Sequence, residues 1–246
     1  MGGIYIGTSG WVYKGWAGAF YPEGLRPTER FDYYAQHFPT VEINATFYRL
    51  PTDNMVKNWH DKAPDGFIFA VKGSRFITQM KKLNVTSESI SIFFDRIRPL
   101  RRHLGPILWQ LPPNLHKDVL RLQRFLDMVP KTFRHAVEFR HPSWMDDEVF
   151  DVLRAHDAAH VSVSSLRMPM DFTVTTDFVY IRFHGLEAGA AHDYTRGEME
   201  LWAEHCHVAA GEGKTVYAYF NNDWNCRAPD NAKTLMKMTQ AELVGA

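Results

Sequence analysis

"HAVEFRHPSW", from His135 to Trp144, puts Val137 and Phe139 on one side of an extended segment and Glu138 and Arg140 on the other. Side chains of a strand alternate between faces. One face of this segment is therefore apolar, and the other carries opposite charges. A sheet face open to water would account for that, and so would a charged face turned inward. The neighbouring segments decide between the two.

The same parity recurs along the chain. In "TVEINATFY", Glu42, Asn44 and Thr46 share a face opposite Val41, Ile43 and Ala45. Lys72 in "FIFAVKGS" opposes Phe69 and Val71, and Gln110 in "PILWQLPP" opposes Trp109 and Leu111. Ser162 and Ser164 oppose Val161 and Val163, while Arg182 and His184 oppose Ile181 and Phe183. With "IYIGTSGW" at the start and "VYAYFNND" near the end, these are short strands whose polar members gather toward their C-terminal halves.

Helical spacing separates them. Thr52 caps a segment carrying Met55, Val56 and Trp59. Ser87 to His103 reads as an amphipathic helix that Pro99 kinks or ends. Leu115, Val119, Leu122, Phe125 and Leu126 form an apolar stripe, as do Val149, Phe150 and Leu153. Thr195 and Glu198 have capping-box spacing, and Pro229 opens the last helix. Repeated strand–helix alternation over this length predicts a (β/α)8 TIM barrel, with residues 1–246 as a single domain. A doubly wound open sheet is the rival, weakened by the lack of G-x-G-x-x-G after the first strand. "LRMPMDFTVTTD" shows no helix, so an irregular segment is expected between strands 6 and 7.

In a barrel the outer strand face packs under helices, so the polar face must point inward. Glu42, Asn44, Lys72, Gln110, Glu138, Arg140, Arg182 and His184 are then expected to converge at the C-terminal mouth. Buried charges need partners, so Glu42 and Glu138 should pair with some of Lys72, Arg140 and Arg182. Such a cationic excess suits a phosphate or carboxylate. Filling the barrel centre is an equal account of Glu42 and Arg182.

The charge balance, 28 Lys+Arg against 28 Asp+Glu, gives no support to bulk electrostatic binding of nucleic acid. The opening has no basic flank or long apolar run, so no signal peptide is expected. No stretch is long enough to cross a bilayer. Cys206 and Cys226 lie in unrelated contexts, against a disulfide scaffold or a cysteine zinc site. A cytoplasmic protein without cofactor or metal is the expectation, and oligomeric state is left open.

The motifs "IGTSGW", "YYAQHFPTVEINATFYRLP", "FAVKGSR", "LGPILWQLPP", "EFRHPSW", "YIRFHG" and "YFNND" resemble the YecE-like family, domain of unknown function 72, over nearly the whole chain. The resemblance implies a TIM barrel and supplies no reaction. Its signature positions fall here on Thr8, Ser9, Gly10 and Trp11; Glu42, Asn44, Thr46, Phe47 and Tyr48; Lys72; Gln110 and Pro112; Glu138, Arg140 and Trp144; Arg182, His184 and Gly185; and Asn221, Asn222 and Asp223. Gln79 stands where the family is expected to have histidine, and "WNCRAP" is atypical.

Glu138 is the leading general acid/base candidate, with Glu42 beside it. Lys72 would stabilise charge or, with a depressed pKa, form a Schiff base. His184 would shuttle protons or hold a metal, although hydrogen bonding alone explains a lone rim histidine. Thr8 and Ser9, in a strand-end loop with Trp11, could present hydroxyls and N–H groups to an anion, or simply make a tight turn. Asn222 and Asp223 end the last strand, where barrels often hold phosphate. Aromatics including Tyr48 could stack on a sugar or base, and loop packing explains them as well. The leading expectation is a hydrolase or lyase acting on a small anionic or polyhydroxylated substrate. A divalent-metal phosphoesterase of the endonuclease-IV type, acting on nucleic acid, is one alternative, but it needs a ligand-rich rim. A non-catalytic anion-binding module is the other.

Overall fold

The computed structural model describes residues 2–241. Its strands are β1 (Ile4–Thr8), β2 (Thr40–Ile43), β3 (Ile68–Lys72), β4 (Leu104–Gln110), β5 (His135–Glu138), β6 (Ala158–Ser164), β7 (Phe178–Phe183) and β8 (Thr215–Phe220). The helices are α1 (Arg30–Ala35), α2 (Ala45–Tyr48), α3 (Asp53–Lys62), α4 (Ser87–Ile97), α5 (Val119–Met128), α6 (Asp147–Ala155), α7 (Arg196–Gly211) and α8 (Arg227–Ala241). Strand order in the sheet is β1-β8-β7-β6-β5-β4-β3-β2, with parallel pairing. Sequence neighbours are therefore sheet neighbours, the order of a (β/α)8 barrel.

The contacts divide the chain into two compact units. One holds residues up to Val41, Ser162–Phe172 and residues from Asp177 onward; the other holds Glu42–Val161 and Thr173–Thr176. In the first unit, β1 meets the start of β2 backbone to backbone. A Cβ on Gly7 would lie 2.2 Å from the Thr40 carbonyl oxygen, so only glycine fits. The buried Tyr34 hydroxyl fastens this junction, accepting from Thr8 N at 3.0 Å and donating to Thr40 O at 3.0 Å. Trp16, Phe20, Tyr21, Tyr34 and Phe38 pack beneath it as one aromatic cluster. In the second unit, Phe93, Phe94 and Phe125 close around the fully buried Trp109 of β4.

Helix starts follow the capping signals, because a helix's first N–H groups lack internal partners. Thr52 accepts from Met55 N before α3, and Asp118 from Arg121 N before α5. Thr195 and Glu198 close a reciprocal capping box at α7. Pro99 ends α4 as its chemistry requires: the helix stops at Ile97 and a 3-10 turn, Arg98–His103, follows. Between β6 and β7 the chain runs without a helix. Among the described residues no helix is long and apolar enough to cross a membrane.

Two expectations need correction. The extended reading of "TVEINATFY" stops at Ile43. Asn44 adopts helical dihedrals (φ −87°, ψ −19°) and α2 follows, so Asn44 and Thr46 do not continue the Glu42 face. The Thr46 hydroxyl instead turns back within reach of Ile43 O (3.0 Å) and Lys72 O (2.7 Å), tying α2 to two strand ends. Leu115 likewise precedes the Asp118 cap and belongs to a loop. Its carbonyl accepts from Trp144 Nε1 at 2.7 Å.

Candidate active site

Within the second unit the strand ends assemble a polar cluster from three directions. β4 and β5 pair so that Gln110 stands beside Glu138. Gln110 Nε2 donates to Glu138 Oε1 at 2.9 Å, and Arg140 Nη1 donates to the same oxygen at 2.8 Å. Glu138 is fully buried, whereas the Arg140 side chain keeps 26% of its exposure. The charges of "HAVEFRHPSW" thus pair with each other, and the pair reaches solvent only on the Arg140 side. β5 ends at Glu138, so Arg140 swings free of strand parity while Phe139 stacks on Trp144 at 4.8 Å.

Glu42, at the end of β2, is also fully buried. Lys72, last residue of β3, is half-buried, with its ammonium 4.5 Å from the centre of the Phe47 ring. A cation over an aromatic face is stabilised by the ring's quadrupole. Tyr48 lies beside Phe47 and is largely exposed. Gln79, in a turn after β3, donates through Nε2 to the Gln110 backbone carbonyl at 2.7 Å. A neutral amide therefore supports the strand end that carries Gln110.

The first unit gathers its own polar groups. Arg182, fully buried on β7, places Nη1 3.2 Å from His184 Nε2, and Asn221 Nδ2 lies 3.3 Å from His184 Nδ1. A guanidinium can only donate, so His184 Nε2 is the acceptor. The ring then carries its proton on Nδ1, and Asn221 meets it with the amide oxygen in the flipped assignment. Thr8 and Ser9 are buried: Thr8 Oγ1 donates to Gly10 O at 2.7 Å, and Ser9 N donates to Phe220 O at 2.9 Å. The Trp11 carbonyl accepts from Tyr21 OH at 2.5 Å.

Asp223 accepts from the Trp16 indole N–H. Burial pushes its carboxyl up to about 6, and the indole hydrogen bond offsets this only in part. Asn222 is fully buried and donates to His192 O (2.8 Å) and to Asn231 Oδ1 (2.7 Å), knitting the end of β8 to α8. Gly185, at φ +84°, leaves no room for a Cβ, which would fall 1.7 Å from Gly189 O.

Tyr34, Tyr194 and Asn231 do structural work that the sequence reading passed over. Tyr194 OH meets Ser164 Oγ at 2.8 Å and accepts from Gly185 N at 3.0 Å. The tyrosine in "YYAQHF" was visible as part of a motif, but nothing local indicates which of two adjacent tyrosines turns inward. Among the described residues no group of three or more His, Cys, Asp or Glu side chains is gathered as a metal-ligand set.

Fold and strand-end polar groups define a (β/α)8-barrel protein. Residues 5–245 match the family described as "Protein of unknown function DUF72", and the chain belongs to that family. The protein YunF of Bacillus subtilis is 24% identical over 98% of this chain and 96% of its own length. YecE of Escherichia coli is 32% identical over 57% of this chain and half of its own. A solved DUF72 family protein from Thermotoga maritima superposes with a TM-score of 0.89 at 30% identity, covering 97% of this chain and 99% of its own. One from Enterococcus faecalis superposes at 0.82 with 22% identity, over 98% of both chains, a likeness of fold.

Proposed function

We propose that this protein is an enzyme of the hydrolase or lyase type, with Glu138 as its general acid or base. The substrate is a small anionic or polyhydroxylated molecule met at the ends of β3, β4 and β5. The observation that carries this reading is the Gln110–Glu138–Arg140 arrangement. A fully buried carboxylate is oriented by an amide and by the guanidinium of an arginine whose side chain remains partly open to solvent. Fixed hydrogen bonds pre-orient a proton-transfer group, and an accessible arginine offers a planar fork to phosphate or carboxylate. Lys72, over the Phe47 ring, adds a second cation for negative charge developing in the reaction. Glu42, in the same unit, completes the proposed catalytic set, and Asn44 is a proposed contributor to substrate binding.

The test is a panel of phosphate monoesters, sugar phosphates and sugar acids offered to the purified protein and to Glu138→Gln. Turnover by the parent that falls about 100-fold or more in the variant is the expected result. Turnover indifferent to Glu138→Gln removes the assignment. A ligand retained unchanged by the parent would make the protein an anion-binding module instead.

A further inference from the structure

A cavity of about 340 Å³ lies in the second unit among the segment after α2, the turn after β3, and α4. Its lining includes none of Glu138, Gln110 or Arg140. Ile77 and Phe93 form buried parts of the wall, while Tyr48, Phe76, Met80 and Ile92 stand around it exposed. Among the described residues eleven large apolar side chains are exposed, and four of them meet at this one cavity. Apolar surface gathered in a concavity costs hydration free energy that scattered exposure does not concentrate, and it marks a binding site.

The backbone supports the same conclusion. Phe76–Met80 is a π-helical turn, in which Lys81 N donates to Phe76 O at 2.9 Å. Such turns are rare, and they recur where function requires a side chain to be placed off the regular helical path. Here the turn sends Gln79 to the β4 end, while Phe76 and Met80 line the cavity.

Charge then names the ligand class. Arg49 and Arg75 line the cavity, and no Asp or Glu does. Arg49 and Arg75 come from two different segments, the residue after α2 and the start of the turn after β3, and both face this one cavity wall. Among the described residues neither has an ion pair, a state they share with the exposed Arg101, Arg124, Arg167 and Arg196; what sets Arg49 and Arg75 apart is that both border one apolar hollow. Two uncompensated guanidiniums beside an apolar hollow are complementary to an anion with a ring-sized apolar body. We propose that this cavity binds a small aryl or branched-alkyl carboxylate or phosphate ester, independently of the Glu138 cluster.

The probe is 2-naphthyl phosphate, compared with uncharged 2-naphthol by titration calorimetry. The phosphate should bind about tenfold or more tightly than the alcohol, and Arg49→Gln/Arg75→Gln should erase that advantage. Met80→Glu/Ile92→Glu should weaken both probes by a similar factor, with circular dichroism confirming that the variants fold. Glu138→Gln should leave the phosphate's affinity within about twofold, which separates this site from the proposed catalytic one. Four results overturn the inference: equal affinity for the two probes; no binding at millimolar concentration; loss of binding in Glu138→Gln with retention in the arginine variant; or a parent dimer that Met80→Glu dissociates. The last would make a second copy of the chain the occupant.

Discussion

Replacing Arg140 with methionine isolates the pair on which the proposed chemistry rests. Arg140→Met removes the guanidinium 2.8 Å from Glu138 Oε1 but leaves the carboxylate fully buried. At that separation, and an effective dielectric constant near 20, the attraction lost is about 6 kcal/mol. The exposed part of Arg140 and the partners that Glu138 keeps, Gln110 among them, reduce the net cost to about 3 kcal/mol, the cost of taking one charge partner from a buried carboxylate. Glu138→Gln should cost less, about 1 kcal/mol, because the freed guanidinium can turn to water. The double variant should be more stable than the two single costs added together would predict, because the Glu138–Arg140 attraction is counted in both single changes. Urea unfolding followed by circular dichroism at pH 7 measures all four corners of the cycle. If the two changes simply add, the Glu138–Arg140 contact carries no coupling and the reasoning fails.

Two further expectations concern pH. His135 is almost fully buried, accepts from Trp109 Nε1 at 3.1 Å, and is pushed down to about 4 by burial. Its folded pKa lies below the unfolded value near 6.5, so the stability it contributes is present above pH 6.5 and lost as pH falls toward 4. The loss is about 3 kcal/mol at most. His135→Gln should flatten that acid limb of the unfolding free energy, and an unchanged limb would count against the assignment. Asp223 works in the opposite direction: burial raises its folded pKa to about 6, so stability falls as pH rises from about 4 to 6. The carboxyl is only partly buried, which discounts the effect to about 1 kcal/mol. Asp223→Asn keeps an acceptor for Trp16, so melting curves should coincide with the parent's at pH 4 and lie above them at pH 8.

Alternating parity in β4, β5 and β7, the caps at Thr52 and Thr195, the stop at Pro99 and the missing helix after β6 were all readable along the chain. Each is set by local geometry: strand side chains alternate, helix ends need acceptors, and proline lacks a donor. Burial of Glu138 and Arg182 also followed from the sequence, because an apolar outer strand face leaves only the inner one for polar groups. Where the strands ended was harder to see. Asn44 and Thr46 fit a strand by parity, yet hydrogen bonding to strand ends turned that segment into α2. Which groups meet was decided by tertiary structure alone. The Gln110–Glu138 bond depends on the β4–β5 register, and Trp16 reaches Asp223 across 207 positions. Gln79 reaches the end of β4 from the π-helical turn after β3. Hydrogen bonds and ion pairs act over a few ångströms, and for residues far apart in the chain only the folded backbone sets that distance.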